Sequence, residues 1–236
     1  MGFNYKMVNG AINLTREKDN PRSGEDNTIQ EIFYCVGHTG VIYNYSEKKS
    51  DNRQRLLQGH CNQIKSVAYS HSKGVIITAD KGPNSLLVVW DVNSGTPKRC
   101  IFDPHPNGVK YLDVTADGSI IVTISREKKD SVSKHIVQQT VCLWRWEEDS
   151  NQLIATGVIQ SDPPGNPIDY QRFVQFNYTN SEEFANGSVS SLEFVTTGRS
   201  SVHFWKMEID GTCTSYSPPT SSKVSSSDGK HNKHFT

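Results

Sequence analysis

The sequence predicts an all-β fold, a partial β-propeller of about three full blades behind a partial N-terminal one, and three observations predict it. Residues 59–91, GHCNQIKSVAYSHSKGVIITADKGPNSLLVVWD, open on Gly-His, close on Trp-Asp and hold short apolar runs between them. The same pattern recurs 45 residues later: His60 falls on His105, Ile64 on Val109, Lys65 on Lys110, Val67 on Leu112, and VIIT at 75–78 on IIVT at 120–123. Apolar stretches throughout are short, rich in β-branched residues and bounded by Gly, Asn, Asp or Pro, which favours strands joined by turns.

Taken in order, residues 1–30 are polar and turn-rich, with NPRSGEDN at 20–27 a loop and a short strand expected around 11–14. EIFYCVGHTGVIYNY reads as a hairpin of 32–36 and 41–45 about a Gly turn, and Tyr45 falls 45 residues before Trp90. A polar link leads to a strand at 55–58, then to 64–69, 75–79 and 86–90. After Ser125 the register breaks: REKKDSVSKHIVQQ precedes VCLWRW, an insert expected in the turn between the third and fourth strands of its unit. RFVQFN, SLEFVTT and SVHFW supply a third unit, with further insertions at 163–167 and 177–188. The chain thus divides into a partial first blade with its N-terminal loop (1–50), a blade at 51–95, a blade at 96–150 with a long charged insert at 126–139, a divergent blade at 151–209, and a Ser-rich tail at 210–236 expected to be disordered.

Gly-His, short strands, Trp-Asp and a period of about 40–45 residues are the signature of WD40 blades. The spacing has a polar logic. A His at the start of a blade reaches a Thr on its inner strands, and that Thr reaches the Trp indole N–H. Unmade, each of these buried bonds costs about 1–3 kcal/mol. The expected network residues are His60, Thr78, Asn84, Trp90 and Asp91 in one blade, His105, Thr123 and Trp144 in the next, and Trp205 in the last. Asn84 stands at the turn position where the repeat usually carries Asp, which leaves Asp80 as the nearby carboxylate. Trp144 is followed by Arg145, so only the first full blade has Trp-Asp. His60 and His105 have no acidic or Cys partner at ligand spacing and read as structural rather than metal-binding. About four units do not close a ring of the usual four to eight blades, most often seven. The chain therefore reads as a piece of something longer, or as one closed by a partner.

Composition excludes several classes. Twenty-five basic and 25 acidic residues cancel, which argues against nucleic-acid partners and anionic membranes. No apolar run approaches the ~20 residues of a membrane helix, and no signal-peptide core is seen. Five scattered cysteines without CxxC spacing predict reduced, mostly buried thiols. Phosphate-cradling loops, GxSxG, HExxH and a calcium loop are missing, so neither enzyme nor cofactor is expected. In the insert, Arg126, Lys128, Lys129 and Lys134 form an exposed basic loop, either simply solvated or a contact loop.

LLQGH, ITADKGPNSLLVVWD with its long turn at 79–83, the hairpin CVGHTGVIYNY and DYQRFVQFNYTN together resemble one branch of WD40 proteins, the cilia- and flagella-associated WD-repeat protein 251 family, also called WD repeat-containing protein 66. The resemblance covers about residues 3–207. It implies a non-enzymatic scaffold of the axoneme, at the radial spoke base in the calmodulin- and spoke-associated complex, supporting motility. It further implies partners among radial-spoke and complex subunits and on the doublet microtubule, and a location in the cilium or flagellum, on the cytoplasmic side and not secreted. A soluble WD40 adaptor elsewhere, such as a ubiquitin-ligase substrate receptor or a cytoplasmic microtubule-associated propeller, is the alternative.

Overall fold

Alternating β-branched runs and tight Gly turns leave this chain one economical arrangement, antiparallel meanders. The computed structural model describes residues 10–17, 28–45, 53–129, 131–132, 135–149, 152–160 and 167–218. The strands in order are Ala11–Asn13 (β1), Arg16–Glu17 (β2), Thr28–Ile29 (β3), Glu31–Val36 (β4), Thr39–Asn44 (β5) and Gln54–Leu57 (β6). There follow Ile64–Ser70 (β7), Val75–Asp80 (β8), Leu86–Asp91 (β9), Pro97–Phe102 (β10), Val109–Val114 (β11), Ile120–Ser125 (β12) and Lys128–Lys129 (β13). Ile136–Arg145 (β14), Leu153–Gln160 (β15), Phe173–Phe176 (β16), the helix Tyr178–Ala185 (α1), Ser191–Thr197 (β17), Val202–Glu208 (β18) and Cys213–Tyr216 (β19) complete it.

The protein is all-β with one short helix. Four antiparallel sheets follow one another along the chain, ordered β1-β4-β5-β6, β7-β8-β9-β10, β11-β12-β14-β15 and β16-β17-β18-β19, and β2 and β3 form a small separate ribbon. Among the described residues no sheet closes into a barrel. Each 45-residue sequence unit starts one strand early: the strand predicted at 55–58 completes the sheet before it by pairing with β5. Such an overlap ties consecutive sheets together through the chain itself.

Successive sheets meet face to face across three apolar layers. Phe33, Cys35, Ile42 and Leu57 pack on Ile76, Val88 and Trp90. The opposite face of the second sheet (Val75, Ile77, Leu87, Val89) packs on Leu112, Ile121, Trp144 and Trp146. Ile120, Val122, Leu143 and Ile159 then pack on Val174, Phe194, Trp205 and Met207. Every residue of β8 and of β12 is buried, because both faces of the second and third sheets are covered. This is why VIITAD and IIVTIS read as continuous apolar runs rather than alternating ones.

Polar bonds between first strands fix the sheets relative to one another. Ser66 Oγ accepts from the Leu112 N–H at 2.9 Å, and Asp113 Oδ2 accepts from the Phe176 N–H at 2.9 Å. Burial pushes the Asp113 carboxyl up to about 6 against these bonds. Between the first two sheets, buried Glu31 is clamped by Arg16 and Arg55 at 2.9 and 2.8 Å, and Arg55 also donates to the Val92 carbonyl.

Four expectations are corrected. The charged insert lies between the second and third strands of its sheet, not the third and fourth, since β12 pairs with β14 and β13 folds back on β14. The insertion at 177–188 forms a helix, whose Asn177 side chain caps the Asn180 N–H. Residues 213–216, assigned to a disordered tail, form the fourth strand of the last sheet, and residues 219–236 lie outside the described ones. Of the five free cysteines only Cys35 and Cys142 are buried.

Close approach explains one glycine. A Cβ on Gly157 would run into the Trp205 ring. Gly157→Ala should therefore lower stability in urea unfolding by about 1–3 kcal/mol, the usual cost of overpacking.

Candidate functional site

The most constrained polar groups are the buried Thr–Trp pairs. Thr78 on β8 and Trp90 on β9 lie on adjacent strands, with Trp90 opposite Ile76 and Thr78 opposite Val88. Trp90 Nε1 donates to Thr78 Oγ1 at 2.7 Å, and His60 Nε2 meets the same oxygen at 2.7 Å. His60 Nδ1 lies 3.1 Å from Asp80 Oδ2, and both side chains are fully buried. The Thr78 hydroxyl thus joins the Trp90 and His60 side chains where water cannot reach, while His60 Nδ1 stands at ion-pair distance from Asp80 without a hydrogen bond. Asp80 also accepts from the Leu86 and Asn62 N–H groups, so it tightens the turn as well.

Asn84 does not join this network. It is exposed, with φ of 52°, and serves the turn geometry that Gly82 shares. Asp91 also stands apart: its Oδ1 accepts from the Ser94 N–H and hydroxyl at 2.8 and 3.0 Å, and Lys98 lies 3.4 Å from Oδ2. Burial alone would raise the Asp91 carboxyl, but these partners hold it below the usual range. Tyr45, placed by register where a Trp would stand, is exposed and meets Thr15 Oγ1 at 3.1 Å.

The third sheet repeats the arrangement without a carboxylate. Trp144 Nε1 donates to Thr123 Oγ1 at 2.8 Å, and His105 Nε2 meets that oxygen at 2.9 Å. The Thr140 hydroxyl, 3.0 Å from His105 Nδ1, stands where Asp80 does. Desolvation brings the His105 pKa down to about 4, so the ring is neutral at physiological pH. In the fourth sheet Trp205 Nε1 donates to Thr196 Oγ1 at 3.0 Å, and among the described residues no His bonds that oxygen. Thr196 was hidden from sequence by spacing: it precedes its Trp by 9 residues, where Thr78 and Thr123 precede theirs by 12 and 21. Trp146 was also missed, buried with its N–H on the Gly118 carbonyl at 2.8 Å.

The basic loop has a different character. Arg126 follows β12, and Lys128 and Lys129 form β13, where Lys128 Nζ donates to Gln138 Oε1 at 3.3 Å and Lys129 lies 3.8 Å from Glu127. Lys134 lies outside the described residues. A cleft of about 470 Å³ opens here, lined by Asn107, Arg126, Lys128 and Gln138 among others. Among the described residues no group of three His, Cys, Asp or Glu side chains could hold a metal, and no helix is long and apolar enough to cross a membrane.

These features define a class: consecutive antiparallel sheets of four strands, the third with a short fifth, three of them pinned internally by a Thr–Trp bond. The chain belongs to the family described as the CFAP251 N-terminal domain, whose family model matches residues 2–234. It is similar to the cilia- and flagella-associated protein 251 of Tetrahymena thermophila, 42% identical over 208 residues that cover 88% of this chain and 18% of the relative. The Chlamydomonas reinhardtii protein of the same name is 29% identical over 215 residues, 86% of this chain and 22% of its own length. That of Pongo abelii is 33% identical over 161 residues, 66% and 12%. The chain thus spans about a fifth or less of the length of these relatives, all of which are named as associated with cilia and flagella.

Two outcomes follow from the networks. Thr78→Val strands two partners and Thr196→Val one, so urea unfolding should show losses of about 2–4 and about 1–2 kcal/mol respectively. The His105 pKa lies below its unfolded value near 6.5, so its contribution is full above that pH and is lost as pH falls from 6.5 toward 4. The stability advantage of the wild type over His105→Gln should shrink by up to about 3 kcal/mol between pH 7.5 and 4.5.

Proposed function

We propose that this chain is a non-enzymatic protein-interaction scaffold of the ciliary or flagellar axoneme, and that its four sheets are blades of an incomplete WD40 propeller. Membership of the CFAP251 N-terminal domain family carries the reading. The build of the molecule supports it: rigid, doubly buried sheets hold their connecting loops at fixed positions, and loops on a rigid frame are where binding residues collect. His60 and His105 each bond a buried threonine that also holds a tryptophan, which supports a structural rather than a catalytic role for these two residues.

Within the axoneme we place it at the radial spoke base, in the calmodulin- and spoke-associated complex, where it contacts complex subunits and the doublet microtubule and supports motility. The loop Arg126, Lys128, Lys129 and Lys134 is one contact surface. Binding proceeds by shape and loop chemistry without turnover.

Immunolocalisation in ciliated cells should give axonemal signal, and affinity purification from axonemes should recover spoke-base and dynein proteins. Signal confined to the cell body, with cullin adaptors or cytoplasmic microtubule proteins recovered instead, would assign it to a soluble WD40 adaptor and overturn the axonemal reading.

A further inference from the structure

The first strands of the second, third and fourth sheets, β7, β11 and β16, lie side by side. Their registers can be matched through the network threonines: Val67 pairs with Thr78, Leu112 with Thr123 and Val174 with Thr196. Two residues before each of these stands a cation, Lys65, Lys110 and Arg172. In two cases the cation is the bulged residue itself, because the register shifts between Ile64 and Ser66 and between Val109 and Tyr111. A bulge leaves its residue unpaired and re-aims the side chain, which is why bulges mark places where a strand presents a group.

The second half of this row joins the basic loop. Lys110 has Arg126 and Arg172 as electrostatic neighbours; burial lowers its pKa first, and these two charges lower it further against the opposing pull of Glu127. Glu127 has Lys129 for an ion-pair partner at 3.8 Å. Lys110, Arg126, Lys128 and Arg172 form no ion pair among the described residues. Lys110 Nζ instead sits 5.6 Å above the Tyr170 ring, and Lys128 meets the neutral Gln138. A fold that gathers four cations from two adjacent sheets about a single carboxylate, Glu127, keeps an excess of positive charge there, a local repulsion that an incoming anion relieves.

We propose that Lys110, Arg126, Lys128 and Arg172 form a binding site for an acidic peptide segment, with the cleft beside Asn107 and Gln138 receiving its backbone. Guanidinium forks suit carboxylates in bidentate geometry, and the two amides offer both donors and acceptors to a peptide unit. A nucleic acid fits less well. The cations are gathered at one site on a chain of zero net charge, and Phe173, the exposed aromatic beside Arg172, is already packed against Tyr111 at 5.2 Å.

The proposal deepens the scaffold reading and rests on it for its use in the cell. The two fail separately: an axonemal protein without affinity for acidic peptide refutes only the site, and a peptide-binding protein absent from axonemes refutes only the location. The test is fluorescence anisotropy on the full chain with a labelled Glu-rich peptide, its Gln-rich counterpart and a single-stranded RNA. The Glu-rich peptide should bind, weaken as salt rises, and lose at least about tenfold in affinity in Arg126→Glu/Arg172→Glu. Lys98→Glu/Lys206→Glu, with the same charge change elsewhere, should bind like wild type. Arg126→Gln/Arg172→Gln, which adds no new repulsion, should weaken binding in the same direction and covers the case in which charge reversal unfolds the chain. Equal binding of the Gln-rich peptide, equal loss in both charge-reversal variants, or binding of the RNA without the peptide would overturn the site.

Discussion

A threonine hydroxyl buried beneath a tryptophan is the interaction on which the rest of this structure depends. Sheets packed face to face need large apolar side chains to fill the layers between them, and Trp fills more than any other. Its indole N–H is then beyond the reach of water and must find an acceptor inside the same sheet. Thr78, Thr123 and Thr196, each wholly buried, are those acceptors. The pairing also sets register. A slip of one residue between β8 and β9 would carry Trp90 to the opposite face and leave both its N–H and the Thr hydroxyl stranded. The turn between second and third strands can therefore vary widely in length without moving the sheet.

How the hydroxyl's remaining bonding capacity is used differs from sheet to sheet, and the difference is chemical. In the second sheet it meets a histidine whose other ring nitrogen faces a buried carboxylate at 3.1 Å. In the third, a neutral histidine sits between two threonines, and desolvation outweighs the hydrogen bond to Thr123 in setting its protonation. In the fourth, no histidine among the described residues reaches it. Instead the turn between β17 and β18 is organised by Asp169, which accepts from the Arg199, Ser200 and Ser201 N–H groups, while Gln171 bonds Ser201. Gln171 also exchanges bonds with Gln139 of the third sheet, so one amide side chain does for the inter-sheet seam what Asp113 does further along the strand.

Much of this was legible in the residues. The 45-residue recurrence located the second and third sheets and their His, Thr and Trp partners, since these groups are tied to strand register and strands tolerate no shift. What escaped was whatever depends on turns and ends. Asp80, the nearby carboxylate in the sequence, does face His60, but Asn84 stays outside the network, exposed on a turn with positive φ. Residues 213–216 carry little apolar character because their strand is an edge with three of four residues exposed, and composition alone could not separate them from the tail. The helix at 178–185 buries only Asn180 and Ser181, whose side chains bond the Ser191 carbonyl, the Glu193 N–H and the Ala116 N–H. A helix docked by polar groups leaves no apolar period to read.

The end sheets show what the doubly buried sheets conceal. On the outward face of the fourth sheet, Phe204 and Tyr216 stand opposite each other in register, 54% and 62% exposed, while their strand neighbour Trp205 on the inward face is buried. The first sheet leaves Leu56 45% exposed, opposite the buried Val41. Apolar groups set on one face at strand period are the pattern of a surface that packs, the same alternation that fills the three layers inside. The middle sheets are held from two sides and each end sheet from one. Local opening free energy should therefore fall from the middle of the stack toward its ends, whatever the individual worth of each Thr–Trp bond.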